Sequence, residues 1–304
     1  MNSEGEELEE GKVMKCASCG TAGNDDVKLL LLRCANCHIA RYCGKLCQRK
    51  HWTIHKRVCR RLTAEELKDE QLFKQPESNH LGDCPICFLP MPVPESKEEP
   101  DVYQVYTCCM KIACYGCCQF KGNCDLNQRL TLTCPFCREP LPNSKEKHIE
   151  RVKKRAADGS PFAIWELGMH KRRLGDIAGA LDCWHKAAEL GSAEAHYELS
   201  KGMYVVVDNN TEKFQYHAEQ AAMGGHPVAR YNLGVNEMLN GNPVRAVRHW
   251  TIAARQGSVV ALRALKKSSF VSEEEYNAAN RAQQKAMKEM ESDRRNKADA
   301  ARRR

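Results

Sequence analysis

The chain has 304 residues, and 17 of its 18 cysteines fall between Cys16 and Cys137. So uneven a distribution excludes a single, evenly mixed enzyme core. A net charge of +8, from 47 basic and 39 acidic residues, is too small an excess for a dedicated nucleic-acid binder.

No apolar stretch approaches the 18 or so residues that a membrane-spanning helix needs, so no membrane segment is expected. Residues 1–15 read as an acidic, disordered leader (Glu4, Glu6, Glu7, Glu9, Glu10) without the apolar core of a secretory signal. The expected location is therefore intracellular, cytoplasmic or nuclear. Thiols stay reduced there, and paired cysteines read as metal ligands rather than disulfides.

Residues 16–59 hold the first such set: Cys16 and Cys19, Cys34 and Cys37, Cys43 and Cys47, His55 and Cys59. Two thiolates separated by two residues can wrap one ion in a tight knuckle, and donors four apart share one side of a helix. Eight donors in four pairs make two closed tetrahedral zinc sites with no open coordination position. Sites of this kind each supply roughly 10–16 kcal/mol of folding energy to a segment too small for its own core.

The run Tyr42-Cys43-x3-Cys47-Gln48-x3-Trp52-x2-His55-x3-Cys59 resembles a MYND zinc finger. The resemblance implies interleaved sites, Cys16, Cys19, Cys43 and Cys47 holding one ion and Cys34, Cys37, His55 and Cys59 the other. His38 and His51 are rival donors, and the stretch between Cys19 and Cys34 is long for the family and expected to loop out. MYND fingers dock short proline-containing peptides, which makes Gln48 and Trp52 candidate contacts; Trp52 reads equally well as packing over the zinc core. Some MYND proteins are SET-domain methyltransferases, but nothing here resembles that domain's cofactor motifs.

Residues 60–83 read as a helical linker, with Thr63 and Glu66 spaced as a capping box. Residues 84–140 hold a second cysteine set: Cys84 and Cys87, Cys108 and Cys109, Cys114 and Cys117, Cys134 and Cys137, interrupted by the proline-rich segment 90–100. Opening on Cys84-Pro85-Ile86-Cys87 and closing on Cys134-Pro135-Phe136-Cys137-Arg138, this region resembles a RING finger. The cross-brace this implies puts Cys84, Cys87, Cys114 and Cys117 on one ion. The other would take Cys134, Cys137 and two middle donors. The usual RING histidine position is Lys111, so Cys108 and Cys109 are assigned there, with Cys118 and Cys124 as the remaining thiols that could substitute. Four Zn2+ per chain are expected.

RING fingers transfer ubiquitin without a nucleophile, by holding a charged conjugating enzyme in a reactive geometry. The resemblance gives that grip to Ile86, Pro135 and Arg138. No catalytic nucleophile is expected anywhere. The lone outlying thiol, Cys183, sits beside Trp184 and reads as packing.

From 156 to 268 the chain is periodic. Ala163, Ala195, Ala229 and Ala261 are spaced by 32, 34 and 32 residues, and Leu167, Leu199, Leu233 and Leu265 keep the phase. Alanine pairs at 187–188, 221–222 and 253–254 are each followed by a glycine, at 191, 225 and 257. Each unit reads as two helices packed through small residues and ended by glycine. The blocks resemble Sel1-like repeats, about three with a closing helix at 259–267. Ser200 replaces a glycine of the pattern in the middle unit, and Tyr216 is read as one residue off its tryptophan position. Residues 271–304 read as a charged, solvated helical tail starting at Ser272.

The expected fold is multidomain: two small zinc-stabilised cross-brace modules followed by an all-α αα-solenoid of Sel1-like repeats. The expected function is a modular protein-interaction protein. Its ligase reading is a RING-type ubiquitin ligase recruiting substrates through the finger and repeats; its alternative is a non-catalytic adaptor or scaffold, transcription-related in one version.

Overall fold

The structure, a computed structural model, describes residues 15–21, 31–37, 40–92, 102–119, 133–201 and 211–302. The acidic leader up to residue 14, the stretch 22–30 expected to loop out, His38 and Cys124 lie outside these residues. The chain divides into two compact units, Met1–Gln71 and Leu72–Arg304.

In the first unit, a two-residue ladder pairs β1 (Leu32–Arg33) antiparallel with β2 (Arg41–Tyr42). Helix α1 (Lys45–Leu72) then runs without a break through the stretch expected to begin a separate linker helix. Thr63 starts nothing: its hydroxyl donates to the Cys59 carbonyl at 2.8 Å, a bond back along the helix that satisfies Thr63 without a cap. Among the described residues of this unit the buried ones are Cys16, Cys34, Cys37, Tyr42, His55 and Cys59, so the interior they form is made largely of the would-be metal donors themselves.

The second unit opens with a cysteine-rich hairpin, β3 (Tyr103–Tyr106) against β4 (Lys111–Cys114), followed by the short α2 (Tyr115–Gln119). Its core joins Met91, Tyr106 and Ala113 to buried thiols. Among the described residues eight helices follow: α3 (Lys145–Ala157), α4 (Pro161–Arg173), α5 (Ile177–Glu189), α6 (Ala193–Leu199), α7 (Thr211–Met223), α8 (Pro227–Leu239), α9 (Pro243–Arg255) and α10 (Val259–Lys267). Neighbours in sequence pack on one another as an αα-solenoid.

The turns explain the ladders. Gly159, Gly175, Gly191, Gly225, Gly241 and Gly257 all take left-handed φ values between 78° and 97°, so a glycine ends a helix about every sixteen residues within a repeat. The residue after the glycine caps the next helix. Ser160, Ser192, His226 and Ser258 accept from the backbone N–H of Ala163, Ala195, Ala229 and Ala261, which makes the alanine ladder the third position of each first helix. Trp184 lies on Gly168 and donates to the Trp165 carbonyl; Trp250 does the same on Gly234 and Tyr231. In the middle repeat the tryptophan register falls on Ala218, which is buried, whereas Tyr216 is half exposed and belongs to another face.

Two more helices close the unit, α11 (Glu273–Met290) and α12 (Asp293–Arg302). Ser272 and Glu275 form a reciprocal capping box at the start of α11. This tail is not simply solvated. Ala279, Gln283, Arg295 and Ala298 are buried, because α11 packs on α9 and α10 while α12 packs on α2. Among the described residues no helix is long and apolar enough to cross a membrane.

Candidate metal centres

The three C-x2-C knuckles at Cys16, Cys84 and Cys134 are one local structure repeated. The first cysteine's N–H donates to a carbonyl five residues on (Thr21, Leu89, Glu139), and its carbonyl accepts from the residue after the second cysteine (Gly20, Phe88, Arg138). That last residue takes φ of 74°, 57° and 63° respectively, which turns the chain back and brings both sulfurs to one side.

Tight turns aim backbone N–H groups at the first sulfur. Burial pushes these thiols up, but backbone N–H donors outweigh it, from Cys43 for Cys16 and from Cys114 for Cys84, and in every case from two and three residues on. The result brings Cys16 and Cys34 down to about 6 and Cys84 and Cys134 to about 7. Cys19 is lowered too, held by hydrogen bonds from Thr21, but not every partner follows. Cys43 is pushed up to about 12 by sharing a proton with Cys47 and by its contacts with Cys19 and Cys16. Four thiols packed together ionise fully only when a cation supplies the opposing charge.

The donors gather into four groups: Cys16, Cys19, Cys43 and Cys47; Cys34, Cys37, His55 and Cys59; Cys84, Cys87, Cys114 and Cys117; Cys108, Cys109, Cys134 and Cys137. In both units the first and third pairs share one group and the second and fourth the other, which is the cross-brace order. Helix α1 contributes Cys47 from its first turn and, one turn apart, His55 and Cys59.

Distances test the fit to zinc. Tetrahedral bonds of 2.3 Å put two sulfurs about 3.8 Å apart, whereas a disulfide holds them at about 2.05 Å. The observed separations are 3.6 Å for Cys19 and Cys43, 3.3 Å for Cys43 and Cys47, and 3.8 Å for Cys34 and Cys59. In the second unit they are 3.8 Å for Cys87 and Cys114, 3.7 Å for Cys109 and Cys134, and 3.3 Å for Cys137 and Cys108. A zinc-bound sulfur and imidazole nitrogen lie about 3.5 Å apart on the same geometry. Cys37 Sγ and His55 Nε2 are separated by 3.5 Å. The groups therefore suit closed zinc sites.

Further donors surround the sulfurs. Asn36 Nδ2 donates to Cys59 Sγ at 3.2 Å, the Cys114 N–H to Cys84 Sγ at 3.4 Å, and the Phe136 N–H to Cys134 Sγ at 3.4 Å. The adjacent Cys108 and Cys109 both reach one group because the β3–β4 turn is tight. Cys109 and Met110 both donate to the Tyr106 carbonyl, and Met110 takes φ of 55°. Cys118 points elsewhere, bonded to Tyr106 Oη and the Ala113 carbonyl. His51 stacks on His55 and bonds Tyr42 Oη, outside the donor groups.

The expected contact residues are distributed as follows. Gln48, Ile86 and Pro135 are half-buried, Trp52 is 42% exposed with its ring edge-on to His55, and Arg138 is exposed. Sequence reasoning missed Leu46, Ile54 and Val58, which α1 also presents to solvent. Cys183 is buried in the solenoid core, and burial raises its thiol.

Residues 9–59 are a MYND finger by match to that family. The chain aligns with Tudor domain-containing protein 1 of Homo sapiens, 35% identical over 75 residues, or 23% of this chain and 6% of that protein. It aligns as well with Protein CBFA2T2 of Xenopus laevis, 37% identical over 51 residues, 17% of this chain and 8% of that protein. The match thus spans less than a tenth of either curated relative. Among solved structures, a Sel1 repeat protein from Oxalobacter formigenes covers 48% of this chain and 66% of its own at 17% identity and TM-score 0.42. A protective antigen of uropathogenic Escherichia coli with an SLR fold covers 47% of this chain and 34% of its own at 21% identity and TM-score 0.40. In this chain a MYND finger with donor groups that suit zinc is thus followed by stacked helical hairpins.

Proposed function

We propose that the chain is a RING-type ubiquitin ligase in which the hairpin module of residues 84–140 recruits the conjugating enzyme. The MYND finger and the helical repeats recruit substrates. The observation that carries this reading is the identity of the two outer knuckles. They hold Ile86 and Pro135 at equivalent turns and leave Arg138 exposed directly after the last thiol. A closed, cross-braced centre offers no water or nucleophile, so the chemistry available to it is positioning: restricting a bound thioester so that a lysine can attack it.

On this reading Ile86 supplies apolar contact to the conjugating enzyme, Pro135 shapes the facing loop, and Arg138 donates hydrogen bonds across the enzyme–ubiquitin junction. In the MYND finger, Gln48 and the exposed face of Trp52 receive a proline-containing peptide. The domain limits follow the modules, with residues 16–59, 84–140 and 156–268 as finger, ligase module and repeats.

The test is ubiquitin discharge from a panel of charged conjugating enzymes, comparing the native chain with Ile86→Ala and Arg138→Ala. Discharge by the native chain that falls at least tenfold in both variants, at unchanged zinc content, is the expected result. No discharge across a broad panel by the zinc-loaded chain would replace the ligase with the second reading, a non-catalytic adaptor. That reading draws on the way the hairpin module is built into the helical unit through α12.

A further inference from the structure

Helix α12 reaches the first thiol group of the hairpin module through one side chain. Arg295 is 6% exposed, and its guanidinium spans the Cys84–Cys87 knuckle. Nη1 donates to the Pro90 carbonyl at 2.8 Å and to the Met290 carbonyl at 2.6 Å. Nη2 donates to Cys87 Sγ and to the Leu89 carbonyl, both at 3.3 Å. The backbone is as closely fitted: a Cβ on Gly116, between Cys114 and Cys117, would stand 2.7 Å from the Arg295 Cα and 2.8 Å from its N. Ser292 fixes the start of the helix, its hydroxyl accepting from the Arg295 N–H.

Charge makes this contact more than packing. Zinc held by four thiolates carries a net charge of −2, and three of the four donors here are buried. Such a centre is stabilised by nearby hydrogen-bond donors and positive charge. Among the described residues the hydrogen-bond partners of the Arg295 Nη1 and Nη2 groups are sulfur and carbonyl oxygens, with no carboxylate, and its Nε has none, so sulfur and carbonyl oxygens carry the compensation of its buried charge. Each buried charge therefore answers the other's need.

We infer that Arg295 is a positioning residue for the metal centre formed by Cys84, Cys87, Cys114 and Cys117, and that occupancy of this centre and docking of α12 on the module stabilise each other. The inference rests on the zinc reading of that group. Linkage of this kind is reciprocal: whatever zinc adds to the docking of α12, docking adds to the affinity for zinc. Removing the guanidinium weakens one ion and leaves the other three, and removing that ion loosens a helix more than 170 residues away in sequence.

The experiment compares the zinc-loaded native chain with Arg295→Met, Arg295→Lys, Gly116→Ala and Cys87→Ser. Zinc release to a competing chelator and amide hydrogen exchange over 293–302 are read in each. Arg295→Met should lose one ion about 10–100-fold more readily, the range for an outer-shell partner. It should also raise exchange in α12, while Arg295→Lys, keeping charge without the planar fork, restores part of both. Gly116→Ala disturbs the same contact without touching the guanidinium and should move both readouts in the same direction. Cys87→Ser should raise exchange in α12 to the level of Arg295→Met.

Unchanged tryptophan fluorescence from Trp184 and Trp250 reports that the repeats stay folded. Four ions held as tightly in Arg295→Met as in the native chain would overturn the inference. So would α12 protection that is indifferent to Cys87→Ser. A native chain whose zinc count does not change in Cys87→Ser fails at the earlier step, removing the zinc reading of this group along with the inference.

Discussion

At the scale of single residues, two kinds of glycine do different work. Gly20 sits at φ of 74° with open space where a Cβ would go, so alanine there is strained by backbone conformation alone. Gly234 has the opposite problem: a Cβ would stand 2.4 Å from Trp250 Nε1. Gly20→Ala should cost about 1 kcal/mol, read as weaker zinc retention by the finger. Gly234→Ala should cost about 1–3 kcal/mol, read as earlier loss of tryptophan fluorescence on heating. An unchanged melt for Gly234→Ala would mean that the indole moves aside freely. The knuckle pairs themselves were legible in the sequence because two thiols at a fixed spacing leave few alternatives. Cys108 and Cys109 were harder, since their shared group depends on the left-handed Met110, and a non-glycine residue gives no sequence sign of that conformation. Arg295 was illegible, as a lone arginine in a charged tail looks like any other.

At the scale of elements, α1 shows how little apolar burial a helix can have when metal donors anchor it. Of its side chains that the structure describes, the buried ones are His55, Cys59 and Leu72. A polar helix of this kind is marginal by itself, so zinc is expected to hold it. Stripping zinc with a chelator should remove amide protection across Lys45–Leu72 while leaving α4, α5, α8 and α9 protected. Persistent protection of α1 in the stripped chain would show that helix propensity suffices. The repeats invert the balance. Their alanine, leucine and tryptophan ladders were readable because each unit repeats one packing solution, the tryptophan on a glycine and the alanine under a cap. What the ladders did not reveal is the cap chemistry, in which His226 stands where the other repeats use serine. Its buried ring lies between His80 and Tyr197, with centroids 4.3 Å and 4.2 Å away.

At the scale of the whole molecule, the hairpin module and the repeats share one compact unit because of contacts that leave no periodic trace. Arg230, fully buried, donates to the Leu72 and Ala222 carbonyls, and the Gly225 carbonyl accepts from the His80 N–H. The same long-range packing buries histidines and sets an acid limit on this unit. Burial holds His80 and His217 down to about 4 and His249 to about 3, and carries His226 well below 6.5. Each is neutral in the folded unit and binds a proton once unfolded. Their effect is thus absent above the unfolded value of about 6.5, and stability falls as pH drops from there toward the folded values. The slope is about 1.4 kcal/mol per pH unit for each extra proton on the unfolded chain. Glu194, 3.9 Å from His80, works the other way: burial raises its carboxyl, so the folded state gains a proton there first and offsets part of the loss. With His80 held neutral down to about 4, the two form a contact rather than an ion pair above that pH. His249 isolates the effect. Neither of its ring nitrogens has a hydrogen-bond partner, its ring packs on Phe73 at 4.5 Å, and after burial the charges of Arg230, Arg245 and Arg248 push its proton off. His249→Phe should therefore leave the melting temperature at pH 7.5 unchanged or higher and flatten its decline between pH 6.5 and 4 by about one proton's worth. Metal loss in acid affects both proteins alike, so the difference between their pH profiles reports the imidazole; parallel profiles would mean that His249 takes up its proton in the folded unit as readily as in the unfolded chain, and that the acid limit lies in the thiol groups.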